Sequence, residues 1–193
     1  MRLILIFFIL ISNFANSQEF QNVPVLWTGS EFNKEGEKVS TLIQFENRQN
    51  LLSGSNGFFT RIILSTTGKV RFGGGLVFSQ FEGNEQIRLN QSIIFRSHRI
   101  LVEQIFSRNG YEISRIRYRF LPSIRLTSKS NFLIGLEPFL DMDESGIFIS
   151  QCRVHILYDL NIGQSNLIRI GFIPELVGNR INYNTSIKIH FNF

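Results

Sequence analysis

A period-two alternation of apolar and polar residues recurs along this chain, and it confines the fold to β-structure. Between positions 69 and 79, Val70, Phe72, Leu76 and Phe78 share one face with Gly74, while Lys69, Arg71, Gly73, Gly75 and Ser79 share the other. Arg115, Arg117 and Arg119 alternate with Ile116, Tyr118 and Phe120. Gln151, Arg153 and His155 alternate with Cys152, Val154, Ile156 and Tyr158. Successive side chains of a strand point to opposite sides of the sheet, so each run has an apolar face and a charged one. No helical period follows Gln18.

Eleven runs read as strands: 25–32, 38–48, 57–65, 69–79, 86–96, 99–107, 112–126, 131–142, 146–160, 164–174 and 181–193. Turn residues separate them, among them Gly54-Ser55-Asn56, Thr67-Gly68, Glu82-Gly83-Asn84, Asn109-Gly110 and Glu144-Ser145-Gly146. Most runs have about ten residues, enough to cross a bilayer when tilted. Single-chain bacterial barrels have even strand numbers, with both termini at one end. Parity therefore predicts ten strands, with 25–32 only partial, or twelve, with an extra piece near Phe20.

The first seventeen residues read as a cleaved export signal. Arg2 supplies a positive start, residues 3–11 are continuously apolar, and Ala15-Asn16-Ser17 precedes Gln18 with the small-x-small cleavage pattern. That apolar run is shorter than the roughly twenty residues of a spanning helix, and no other stretch approaches that length. A chain that crosses lipid without helices must close a barrel, since lipid offers no partners to backbone groups. The reading is thus a signal at 1–17 and, over 18–193, a single all-β, antiparallel, up-and-down transmembrane barrel located in the outer membrane. The mean hydropathy near zero fits strands divided between lipid and interior.

Charge sharpens this. The chain carries a net +5, yet its arginines are spread at strand spacing rather than gathered in a patch, which argues against a nucleic-acid partner. Arg61, Arg71, Arg88, Arg99, Arg115, Arg117, Arg119, Arg153 and Arg169, with His155, are expected to face Glu46, Glu103 and Glu137 in a polar lumen. The planar guanidinium fork suits such enclosed pairs. In 186–193, Ile187, Ile189, Phe191 and Phe193 form an apolar face ending on an aromatic, the pattern of an insertion signal read by barrel-assembly machinery.

Several blocks resemble an uncharacterised family of Bacteroidota outer-membrane proteins known only as a domain of unknown function. They are Trp27; Glu46 with Arg48; His98-Arg99 leading to Glu103-Gln104 and Phe106; and Arg115-Ile116-Arg117-Tyr118-Arg119. Glu137-Pro138-Phe139, Arg153 and Tyr158-Asp159-Leu160 complete them. Gln104-Ile105 stands where the family pattern has glutamine-arginine. The resemblance implies a small barrel and assigns it no activity.

Chemistry-bearing motifs are sparse. The lone Cys152 provides neither a disulfide framework nor a cysteine metal site. His98, His155 and His190 lack metal spacing, Asp141, Asp143 and Glu144 read as a solvated turn rather than a calcium loop, and Gly73-Gly74-Gly75 opens no helix to cradle a phosphate. No cofactor is expected. The leading expectation is a non-enzymatic, porin-like barrel with a structural or passive-transport role. Its partners would be outer-membrane lipids, the assembly machinery and small anionic solutes. Two alternatives stand beside it. One is a lipid- or lipopolysaccharide-modifying barrel enzyme using Ser186 and His190; the other is a secreted lipocalin-like barrel with its apolar face inward.

Overall fold

The computed structural model describes residues 21–81, 84–108, 110–144, 146–163, 165–178 and 180–193. The expected signal at 1–17 and the expected extra piece near Phe20 lie outside them, as does Gln164. Among the described residues every regular element is a strand. In chain order these are β1 (Gln21–Glu35), β2 (Val39–Asn50), β3 (Asn56–Thr66), β4 (Val70–Phe81), β5 (Asn84–Phe95) and β6 (His98–Ser107). There follow β7 (Gly110–Phe120), β8 (Ser123–Arg125), β9 (Ser130–Asp143), β10 (Gly146–Asn161), β11 (Asn166–Val177) and β12 (Arg180–Asn192).

Sequential neighbours pair antiparallel from β1 to β7 and from β9 to β12, and β7 pairs with β9. The sheet is a single barrel, as the alternation implies. The run expected at 112–126 is divided at Leu121-Pro122: a proline has no N–H for the ladder, so β7 stops there and the short β8 resumes against β9 alone. Twelve elements therefore build a ring of eleven strands.

That odd ring departs from the parity expectation. It closes because β1 lies parallel to β12, from Gln21 opposite Arg180 to Asn33 opposite Asn192. A parallel ladder satisfies the backbone groups of both edges, so closure does not require an even count. β1 is a full strand rather than a partial one, and it begins at the opposite end of the barrel from the one where β12 finishes.

Two prolines inside strands leave local gaps. β7 and β9 pair at Arg117–Phe139 and again at Phe120–Leu136, with no bridge between, where Pro138 lacks its donor. The β10–β11 ladder likewise skips from Arg153–Glu175 to Ile156–Phe172 around Pro174. Elsewhere the walls approach closely. A Cβ on Gly75 would stand 2.1 Å from the Ile62 carbonyl oxygen, and one on Gly135 2.0 Å from that of Phe120. Gly75 and Gly135 thus serve close backbone approach.

The two faces are inverted relative to a water-soluble barrel. Every strand from β2 to β12 exposes large apolar side chains outward, such as Phe45, Ile62, Phe72, Leu89 and Ile170. Charged residues are buried inside, among them Glu46, Glu103, Glu137, Asp159 and Glu175. Exposed aromatics stand toward both strand ends. Phe58, Phe78, Tyr111 and Tyr183 are at the end where β1 begins, and Phe72, Phe95, Phe120 and Phe193 are at the other.

Candidate functional site

The candidate site is the barrel interior, and its inner wall follows from strand parity. Starting from Trp27, registers lead through Ser186 on β12 and Gly171 on β11 to Leu157 on β10 and Leu133 on β9. Leu157 fills the space over Gly171, and the indole packs with Val25, Ile173, Leu157 and Leu133 in a buried apolar cluster. Around this cluster the inward positions are charged.

On the arc from β9 through β12 to β2, joined by Glu103 of β6 and by Arg115 and Arg117 of β7, cations and carboxylates are matched. Glu137 is the hub: it accepts from Arg117 at 2.9 Å, meets His155 Nε2 at 3.1 Å and lies 3.8 Å from Arg153. Arg117 also donates to Glu103 at 3.2 Å, and Arg153 to Glu175 at 2.5 Å. Arg115 grips Asp141 through two hydrogen bonds of 2.6 and 2.7 Å, and Arg169 grips Asp159 in the same manner. Glu46 accepts from Arg48 at 2.6 Å and from Lys188 and Gln44. These are charge-assisted bonds in a site shielded from water, where removing one partner is costly.

Aromatic rings separate the guanidinium groups. Trp27 has Arg48 at 4.3 Å and Arg153 at 5.3 Å, while the fully buried Phe139 carries Arg117 and Arg153, both at 4.6 Å. Such stacking suits arginine, whose flat cation is weakly hydrated.

The remaining arc, β3 to β7, is different. Arg61 donates to Gln44 and Arg88 to Gln86, both neutral amides. Arg71 is half-buried on the inner face of β4, and Arg99 faces Arg119 across the β6–β7 ladder. Among the described residues none of these five arginines forms an ion pair. Buried polar atoms without a partner gather on the same arc: the Nε atoms of Arg61, Arg88, Arg99 and Arg117, both amide atoms of Asn90, and Glu103 Oε2. Ser150, Gln151 and His190 hold the others.

All the interior residues expected from sequence therefore face inward, but only Glu46, Glu103, Arg115, Arg117, Glu137, Arg153, His155 and Arg169 are joined by ion pairs. Asp141, expected in a solvated turn, instead holds Arg115. Glu31, Asp159 and Glu175 were not expected at the site. Parity could have found them: Asp159 follows Arg153 and His155 by even steps, and Glu175 follows Arg169 likewise.

Ser186 and His190 share the inner face, yet no hydrogen bond joins them; His190 Nδ1 lies 3.2 Å from Glu31. The described residues bring no three or more His, Cys, Asp or Glu side chains together as a metal site. Ile187, Ile189 and Phe193 are exposed on the outer face, and Phe191 stacks on Phe32 with ring centroids 5.0 Å apart.

Cavities lie inside the barrel. One of about 330 Å³ at the end where β1 begins is lined by Trp27, Arg48, Phe59, Arg88, Glu175 and Asn182. A central one of about 200 Å³ is bounded by Arg61, Arg117, Arg119, Glu137 and Arg153. The interior is a crowded charged core with small polar spaces. No family model matches the chain, and no curated protein matches it.

Proposed function

We propose that this chain is an outer-membrane β-barrel with a structural or passive-transport role, its interior selective for small anions. The observation that carries the reading is the inversion of faces. An apolar outer surface running from β2 round to β12 is far larger than a protein in water leaves exposed. It matches a band facing lipid, with aromatic residues toward both rims. The same inversion disfavours a lipocalin-like barrel, which would bind an apolar ligand on an apolar inner face. Export and the assembly machinery enter through the signal-like segment at 1–17 and the outward row of Ile187, Ile189, Phe191 and Phe193.

Anion preference follows from the interior charge. Each inward carboxylate already holds at least one cation or histidine, so the uncompensated charge on β3–β7 is positive, and such a lining attracts anions. The small cavities imply low conductance. Planar-bilayer recordings of the purified chain under a salt gradient test this: small events with a reversal potential on the anion side are expected. Cation selectivity would refute the anion reading, and absence of conductance would leave the structural role alone.

A further inference from the structure

We infer that the barrel interior holds a binding site for a small, doubly charged tetrahedral oxyanion of the phosphate class, formed by Arg61, Arg99 and Arg119. It deepens the anion reading above and rests on it only for the ligand's access to the interior. Arg99 is the second residue of β6 and Arg119 the penultimate residue of β7; they are direct partners on the inner face. Like charges placed directly opposite destabilise a ladder. Here no carboxylate separates them. Among the described residues neither has a hydrogen-bond or ion-pair partner, and Arg119 and then Arg61 are the like charges that act most strongly on Arg99. Among the described residues the one hydrogen-bond partner of Arg61 is the neutral Gln44; Phe59 lies 5.8 Å from its guanidinium, and Glu31 is the carboxylate that acts on it most strongly.

The carboxylates whose charge reaches these cations form their ion pairs elsewhere, Glu137 with Arg117, Arg153 and His155, Glu46 with Arg48 and Lys188, Glu31 with His190 and Glu103 with Arg117. Desolvated cations without a counter-charge carry a large cost. The Nε atoms of Arg61 and Arg99 are buried donors without acceptors. Guanidinium forks bind two oxygens of one anion at once, and three of them fit a dianion better than a monocarboxylate. Space exists: Arg61 and Arg119 border the central cavity of about 200 Å³. Arg99 and Arg119 stand toward the end where β12 finishes, and Arg61 stands at mid-height.

The test uses the full chain refolded in a detergent without phosphate groups, with folding followed by heat-modifiable migration. Inorganic phosphate, exchanged for chloride at constant ionic strength, is expected to raise the thermal midpoint, with sulfate similar and acetate far weaker. Arg99→Gln relieves the facing repulsion. It should therefore melt higher than the unsubstituted chain in phosphate-free buffer and show no phosphate shift. Arg99→Lys keeps the charge but loses the fork, and should bind phosphate about tenfold more weakly. Should Arg99→Gln fail to fold, Arg119→Gln replaces it with the same expectation. Equal midpoints in phosphate and chloride, a full phosphate shift in the glutamine variants, or acetate equal to phosphate would overturn the proposal. None of these readouts depends on where the barrel resides, so the site can fail while the outer-membrane reading stands.

Discussion

Glu137 shows how much a single interior residue carries. Two arginines and a histidine converge on its carboxylate, so removing it leaves buried cations facing one another. Glu137→Ala is expected to cost about 3–5 kcal/mol, read from the urea midpoint of the refolded chain in micelles. A second expectation concerns backbone approach. Gly135→Ala places a methyl against the Phe120 carbonyl and should destabilise by about 1–3 kcal/mol in the same assay, through displacement of the β7–β9 wall. At this scale the alternation made the inward set legible: the nine arginines expected inside, from Arg61 to Arg169, fall on the inner face. Pairing was not legible. Parity tells which way a side chain points but not its height in the barrel, so Arg153 finding Glu175, or Arg99 finding only Arg119, depends on register. The role of Trp27 was hidden for the same reason, since Leu133, Leu157 and Ile173 become its neighbours only once β9 to β12 curl round to β1.

Among the elements, the seam between β1 and β12 is the decisive one. The eleven runs read from sequence correspond one to one to the ring, and only the splitting of 112–126 at Pro122 changes the element count. The expectation of an even ring failed because it presumed antiparallel closure, and nothing local to 21–35 marks that strand as parallel to its partner. Register supplies a test. Thr28 stands opposite Ile187. Cysteines at those two positions, in a Cys152→Ser background, should cross-link in high yield under mild oxidation, whereas Thr28 paired with a cysteine at Tyr183 should not. Cross-linking of the second pair rather than the first would mean an antiparallel or shifted seam.

The whole molecule is a barrel turned inside out, and its stability should depend on its solvent. An arginine on the outer face at Ile187 meets lipid in a bilayer, where it is expected to cost about 2–4 kcal/mol near the midplane. In water an exposed substitution of this kind would change stability by about 0.5 kcal/mol or less. Equilibrium unfolding from vesicles, comparing Ile187→Arg with the unsubstituted chain, separates the two. The fold class and the charged interior were legible because period-two patterning over eleven runs is a global signal. The uneven matching of charge around the ring was not, because it arises from which strands become neighbours. The most direct test of the central claim, a barrel with its apolar face in lipid, is fractionation of cells producing the full chain, with gel migration before and after boiling. The chain is expected in the outer-membrane fraction, released only by detergent and running faster unboiled. A soluble chain released without detergent, with its migration unchanged by boiling, would contradict it.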